Sequence, residues 1–427
     1  MSGSGIARVQ SADPRNAAEC ASAPVGENDN SRPAPRIAVL IASPTLEAGA
    51  SDAGALETAR VLSRAGYRVI VVSKGGRLEN ELADAADRFI RINLASKNPL
   101  VILGNAVRLW RLIRRERCGI VHAHGRTAAW SGYFAARLAR VPLVTSWYKG
   151  FREQNALKHF YNSVMARGQR VIAASDQIAE LIGERHRAAW PRIAVVPPAI
   201  DADRFDPASV SAERIEAVRR DWGVKPGTRV ILVVGRMLRR KGHHVVIRAV
   251  NRLKERGLKD FVCVFVGEDV GRSSYVGQLW DLVVATEAAD IVRFPTRPKD
   301  LPAAYAAATV AVSAAVQPEG TPRALLEAQA MKLPVVASDL GAGPDLVLSP
   351  PAVPEDRMTG LRVPAGDDSA LAAALLRLFS IPEDKRRAVG ERGRAWVLAH
   401  FDRKTMSDQI LSLYAELDST RQGSPGP

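Results

Sequence analysis

The chain comprises 427 residues, 47% of them hydrophobic, with 60 Lys and Arg against 45 Asp and Glu and a formal net charge of +15. That length suggests about two domains with enough apolar side chains for two cores, which excludes a fibrous or wholly disordered chain. The charge favours anionic partners, and three classes are open: nucleotide-linked substrates, an anionic membrane surface and nucleic acid.

Residues 1–34 are rich in Ser, Ala, Pro, Gly and Asn, lack apolar periodicity and read as a disordered tail. Arg8, Asp13, Arg15 and Glu19 interrupt this stretch, so it has no signal-peptide core. No run of 18 apolar residues follows, and a cytoplasmic location is expected. From Ile37 apolar strands alternate with helical segments: strand Ile37–Ala42, a helix from about Gly54 to Ala65, strand Arg68–Ser73, a helix in the Glu79–Ala86 region, and strand Phe89–Ile92. Val101–Arg117 reads as a basic amphipathic helix. There Arg108, Arg111, Arg114, Arg115 and Arg117 face one acid, Glu116, and alternate with Val107, Leu109, Trp110, Leu112 and Ile113. Two roles are open for it: covering a sheet with its arginines in water, or presenting an interfacial face. Strand Ile120–Ala123, helix Ala128–Leu138 and strand Leu143–Ser146 continue the alternation, which marks a parallel doubly wound sheet.

The segment Val196–Pro207, dense in proline and aspartate, reads as the junction between a first domain over residues 35–205 and a second over 206–400. A closing segment, 401–427, follows. The second series of strands runs through Arg229–Val234, Phe261–Val266, Ile291–Phe294, Thr309–Ser313 and Val335–Ser338. The fold class is therefore α/β, two Rossmann-like parallel-sheet domains facing across a cleft, with ligands beyond the carboxyl ends of the strands. Cys20, Cys118 and Cys263 lack metal or redox spacing and fit a reducing compartment.

The most informative stretch is Gln317–Glu327. Its two carboxylates, Glu319 and Glu327, flank a helix start at which Thr321 is expected to cap and Pro322 to take the first helical position. The strand before it aims the helix's unpaired amides beyond the sheet's carboxyl edge, which makes an anion site. Glu327 lies six residues past Thr321, roughly 9 Å along the axis at 1.5 Å per residue. One acid can thus hold a sugar's hydroxyls and the other a ribose. Upstream, Gly235-Arg236-Met-Leu-Arg-Arg-Lys241-Gly242 follows a strand, where glycines let the backbone approach a ligand and two cations neutralise a diphosphate.

Residues Glu319 to Met331 resemble the E-x7-E motif, in the form E-G-T-P-R-x-L-L-E-A-x-A-M, of retaining glycosyltransferases of the GT-B fold, family 4 (glycosyl transferases group 1). Residues 235–242 resemble the G-R-x4-K-G motif of the same family, and the resemblance extends over about residues 36–418. It implies transfer of a sugar from a nucleotide-sugar donor to a glycan, lipid-linked or lipopolysaccharide-type acceptor in cell-envelope polysaccharide synthesis. It also implies a front-face transfer in which the leaving phosphate helps to deprotonate the acceptor. By the resemblance Arg236, Lys241 and Glu319 are catalytic, while Gly49, Gly235, Gly267, Gly320, Thr321 and Glu327 contact the donor. The loop Thr45–Asp52 matches the family's L-E-x-G-G-x-E, with Ala50 in place of the second glycine; its amides still reach a phosphate provided Ala50 needs no positive φ. Val292–Arg297 lacks the glycine of the family's V-x-F-x-G, whose backbone meets the base.

His122 and His124 fall on one side of a strand, without the carboxylate or cysteine cluster that a metal site needs, and the resemblance makes them acceptor or donor contacts. Tyr148 stands where many members carry a histidine within T-x-H-G. With Trp130, Trp147, Lys149 and Arg152 it is expected to form a sugar-stacking and phosphate-holding acceptor site, local packing of the aromatics being the alternative. Gly341, Gly343 and Thr359-Gly360-Leu361 read as structural turns, and Glu391–Leu417 as terminal helices that cross back to the first domain. No metal, no cofactor and no nucleic-acid partner is expected, the nucleotide sugar being a substrate. Two alternatives are a nucleotide-sugar epimerase of the same architecture and a non-catalytic basic binder, which would show steep salt dependence without donor binding. With a lipid-linked acceptor, Arg111, Arg114 and Arg115 are expected to place the first domain on anionic bilayers as a peripheral contact.

Overall fold

The computed structural model describes residues 36–422 except 48, 149, 152–154, 268–272 and 296–299. The expectations for residues 1–34, Cys20 included, lie outside the described residues.

Seven strands form the first sheet: β1 (Arg36–Ala42), β2 (Tyr67–Ser73), β3 (Arg88–Arg91), β4 (Cys118–His124), β5 (Leu143–Trp147), β6 (Arg170–Ala173) and β7 (Ile193–Val195). Their order is β3-β2-β1-β4-β5-β6-β7, parallel throughout. The second sheet holds β8 (Arg229–Val234), β9 (Phe261–Val266), β10 (Val292–Arg293), β11 (Val310–Ser313), β12 (Val335–Ser338) and β13 (Gly360–Val363). It is also parallel, in the order β10-β9-β8-β11-β12-β13. Strands β4 and β9 are buried at every position, as continuous apolar runs covered by helices on both faces must be. The chain thus adopts two Rossmann-like α/β domains. In each sheet the strand order reverses once, between β1 and β4 and between β8 and β11, and crevices open at such switch points.

Three short strands escaped the periodicity reading: β6, β7 and β13. The last corrects the expectation of a turn at 359–361, since Gly360 pairs with Val335. A Cβ there would stand 2.5 Å from the Val335 carbonyl oxygen, so the glycine lets this edge strand close up. The expected helix in the Glu79–Ala86 region is only a 3₁₀ turn, Arg77–Leu82, and the first helix begins earlier than expected, at Ala50.

The C-terminal helix Arg403–Gln422 returns to the first sheet, where Met406, Ile410, Tyr414 and Leu417 pack among Val39, Ile41, Val69 and Val71. Tyr414 is fully buried, edge-on to Tyr67 at 5.9 Å, with its hydroxyl hydrogen-bonded to His122 Nδ1 at 2.8 Å. Cys118 and Cys263 are buried and reduced. Burial pushes the Cys118 thiol up to about 12, with the Glu116 charge adding to the effect, and drives Cys263 the same way, so neither is a thiolate at neutral pH.

Candidate functional site

Strands β8 and β11 leave the second sheet side by side at its switch point. β8 runs into Gly235 and the exposed Arg236, then a 3₁₀ turn, Arg239–Lys241, after which Gly242, at φ +71°, opens the helix His243–Glu255. A Cβ on Gly242 would sit 1.7 Å from the Ala314 carbonyl oxygen, so glycine alone lets this basic turn lie against the chain leaving β11. The turn therefore meets the carboxylate that the sequence placed beyond β11. Lys241 Nζ donates to Glu319 Oε2 at 2.6 Å, and the Arg240 guanidinium donates to Oε1. The Glu319 side chain is only 9% exposed, bracketed by two cations.

Two glycines hold the Glu319 backbone in place. A Cβ on Gly341, whose φ is +61°, would stand 2.5 Å from the Glu319 carbonyl oxygen, and one on Gly320 would stand 1.9 Å from that of Tyr148. The loop is thus pressed against the first domain. Thr321 adds to this contact, its hydroxyl donating to the Ala174 carbonyl at 2.8 Å. That bond corrects the expected cap: the helix is Arg323–Ala330, Pro322 takes the N-cap position, and the Thr321 hydroxyl is committed to a tertiary acceptor.

Glu327 points inward from that helix. The Tyr305 hydroxyl donates to its Oε2 at 2.9 Å, and Arg323 Nε lies 3.9 Å from Oε1. Burial, and then the charge of Glu327, hold the Tyr305 phenol well above its ordinary pKa, so it remains a donor. A Cβ on Gly267 would stand 1.8 Å from the Gly235 carbonyl oxygen, so Gly267 answers a packing demand between the ends of β8 and β9. Phe294 stacks on Phe265 at 5.0 Å, while Thr296, Arg297, Glu268 and Asp269 lie outside the described residues.

In the first domain Gly49 caps the helix Ala50–Arg64. Ala50 has no positive φ, so the absent second glycine costs no strain. The Gly49 amide donates to Asp52 Oδ2 at 3.2 Å and the Thr45 hydroxyl to Oδ1 at 3.3 Å. Asp52 thus occupies the helix's N-terminal niche, and burial raises its pKa against these hydrogen bonds. A phosphate reaching Gly49 must exchange with that carboxylate.

His122 and His124, two apart on β4, stack with ring centroids 4.2 Å apart. His122 Nε2 is hydrogen-bonded to Ser146 Oγ at 2.7 Å, and His124 Nδ1 to the Tyr148 hydroxyl at 3.0 Å. Burial holds His124 down to about 3, and burial, with the adjacent His124 ring disfavouring a second proton, holds His122 well below its usual value; both are neutral at neutral pH. The Tyr148 ring lies over Gly54, where a Cβ would come within 2.2 Å of it. The three side chains form one buried polar cluster in the first domain, anchored to the C-terminal helix through Tyr414.

Trp147 does not join them. It is 3% exposed, its indole N–H donates to the Met165 carbonyl at 3.1 Å, and its ring packs on Phe151 at 4.3 Å. This corrects its expected role as a sugar-stacking surface, as does the burial of Trp130, whose N–H donates to the Tyr161 carbonyl. Lys149 and Arg152 lie outside the described residues. Arg240, Asp52 and Tyr305 had no expected role in the site, and Gly341 was read only as a structural turn. The run Arg239-Arg240-Lys241 carried a signal for the first, whereas nothing local marks Tyr305, twenty-two residues before its partner.

The description "Glycosyl transferases group 1" belongs to a family model matching residues 214–396, and "Glycosyltransferase Family 4" to one matching residues 53–204. A D-inositol 3-phosphate glycosyltransferase of Corynebacterium jeikeium is 28% identical over 411 residues, covering 88% of this chain and 94% of that one. A glycosyltransferase of Rickettsia africae is 28% identical, with a TM-score of 0.79 over 89% of this chain and 98% of that one. HepE of Anabaena, solved in complex with UDP and glucose, shares the fold: 19% identity and a TM-score of 0.75 over 89% of this chain and 100% of that one. With residues 53–204 and 214–396 matched by the two models and a relative aligned across 88% of the chain, the protein belongs to the family 4 glycosyltransferases of the GT-B fold and is a glycosyltransferase.

Proposed function

We propose that this enzyme moves a sugar from a nucleoside diphosphate sugar to a glycan or lipid-linked hydroxyl with retention of the anomeric configuration. The observation that carries this reading is the meeting of Arg240 and Lys241 with Glu319 at the β8/β11 switch point. A diphosphate entering there competes with Glu319 for Lys241. Once Lys241 and Arg236 face the phosphates, Glu319, still held by Arg240, is left to accept hydrogen bonds from the sugar hydroxyls. Glu327, oriented by Tyr305, accepts from the ribose.

In the transfer, the bond from the anomeric carbon to the diphosphate oxygen breaks while a bond to the acceptor oxygen forms on the same face. The acceptor's proton passes to the departing diphosphate. Charge grows on the leaving group, where Arg236 and Lys241 stabilise it without a metal. Closure of the cleft between the sheets excludes water, whose attack would hydrolyse the donor. His122, His124 and Tyr148 support the acceptor side as neutral groups. Support for the donor class comes from the bound UDP and glucose of HepE, while the names of the relatives make an inositol phosphate a second acceptor to test beside glycans and lipid-linked alcohols.

Donors selected by thermal shift, then incubated with acceptors and followed by proton NMR, test the reading. The expected product keeps the donor's anomeric configuration. An inverted product, or an isomerised donor with nothing transferred, overturns it. The two acids are expected to separate in titration calorimetry: Glu327→Gln weakens binding of the free nucleoside diphosphate by about tenfold, a loss of about 1.4 kcal/mol. Glu319→Gln leaves that affinity unchanged and impairs binding and turnover of the intact sugar donor. Identical behaviour of the two variants contradicts these roles.

A further inference from the structure

The helix Pro99–Arg115 is apolar on two opposite sides. Ile102, Ala106, Leu109 and Ile113 enter the first core. Opposite them, Leu100, Leu103 and Val107 follow one another at i, i+3 and i+7, and Arg111 and Arg114 prolong the same exposed stripe. A helix that only covers a sheet needs one apolar stripe. This second one is in water, with Leu100 78% and Leu103 50% exposed, and further exposed apolar side chains stand on the helices Arg126–Ala139 (Leu138 at 60%) and Ala156–Ser163 (Leu157 at 77% and Phe160 at 54%).

Between these side chains lie two adjoining hollows. A largely apolar one of about 530 Å³ is lined by Leu103, Val107, Tyr133, Phe134 and Leu138, with the cations Arg137 and Arg167 also bordering it. Arg167 also borders a second, of about 260 Å³, with Arg185, Arg187, Arg192, His159 and His186. The Arg167 guanidinium sits at the seam, over the rings of Trp130 at 5.4 Å and Tyr133 and Phe160 at 5.5 Å. Arg192 donates only to backbone carbonyls, those of Ala166, Gly168 and Ala188. Among the described residues no carboxylate lines either hollow.

We propose that this face of the first domain docks on an anionic phospholipid bilayer, the apolar hollow and the exposed leucines entering the acyl boundary and the cationic hollow taking a lipid phosphate. Hydrocarbon joined to phosphate is the one ligand class that satisfies both hollows. A soluble phosphate leaves the leucines in water, and nucleic acid offers them no apolar partner. The arginines of the helix lie at headgroup level beside the leucines, which is the arrangement of an interfacial helix. The notion of a face made by Arg111, Arg114 and Arg115 is thereby extended: the apolar part lies in the N-terminal half of the helix and on two further helices.

Co-sedimentation with vesicles tests the docking, with phosphatidylcholine alone or mixed with phosphatidylglycerol. It needs neither donor nor acceptor, so its failure leaves the transfer reading standing. Wild type is expected to bind the anionic vesicles, to be released by high salt, and to ignore pure phosphatidylcholine. The exposed double variants Leu103→Glu/Leu157→Glu and Arg185→Glu/Arg187→Glu are each expected to lose about tenfold or more in partitioning, with unchanged Tm. Absence of wild-type binding, or binding by both variants equal to that of wild type, overturns the proposal. Two other results also overturn it. One is binding of inorganic pyrophosphate that depends on Arg185 and Arg187 while vesicle binding ignores Leu103 and Leu157. The other is a dimer in sedimentation velocity that Leu103→Glu/Leu157→Glu disperses, which would make the leucine face a contact between copies of this chain.

Discussion

Lys241→Ala and Arg236→Ala are each expected to lower kcat by about 10²-fold or more, the usual consequence of removing one preorganised charge from a developing oxyanion. Lys241 is paired with Glu319 at 2.6 Å, and in the proposed donor site the diphosphate displaces that carboxylate from it. Its loss leaves the leaving group with less positive charge at the moment charge accumulates, so the effect falls on kcat as well as on donor binding. The fold should tolerate both changes. Arg236 is exposed, and Glu319 keeps its bond to Arg240 when Lys241 is gone. Steady-state kinetics alongside thermal unfolding therefore separate the roles. Near-normal turnover in the Arg236→Ala/Lys241→Ala double variant contradicts the donor assignment, and so does a loss of activity that merely follows a loss of Tm.

Acidification from pH 7 to pH 5 is expected to destabilise the fold by several kcal/mol. Three buried histidines have native pKa values below the unfolded value of 6.5: His122 well below it, His124 at about 3 and His243 at about 4, all chiefly through burial. Between those native values and 6.5 the unfolded chain binds more protons than the native one, so stability rises with pH across that window and is complete above it. Each histidine costs about 2 kcal/mol on going from pH 7 to pH 5. Asp345 acts in the opposite direction. Burial, reinforced by Asp176 and Glu180, raises its carboxyl to about 6, which returns about 1 kcal/mol on acidification. The net loss is a large share of a typical domain's total stability. Urea titrations at the two pH values measure it directly. Equal unfolding free energies would mean that the histidines accept protons inside the folded protein.

His122 shows how the fold gives these groups their setting. Its two ring nitrogens are held by Ser146 of a neighbouring strand and by Tyr414 of the last helix, 292 residues away. The spacing of His122 and His124 on one side of a strand was visible in the sequence. The burial that keeps them neutral was not, because it depends on the C-terminal helix closing over the sheet.

Local rules account for the features that were legible along the chain. Alternating apolar strands and helices made the two parallel sheets legible, since a strand buried on both faces must read as a continuous apolar run. Glycine and charge at fixed offsets marked the loops after β8 and β11, and the motifs around Lys241, Glu319 and Glu327 named the family. Tertiary structure decided the partners. Thr321 was read as a cap, yet its hydroxyl goes to Ala174, because a single donor follows whichever acceptor the packed fold presents. Trp147 was read as a sugar platform, yet β5 places it in the core beside Phe151 and Met165. Arg240 and Tyr305 became visible only when β8 was laid beside β11 and when the helix Leu301–Ala306 was packed against the helix carrying Glu327. Such pairings join residues far apart in the chain. No periodicity or propensity encodes them, because their energy arises only once the sheets have brought the groups together and removed the water between them.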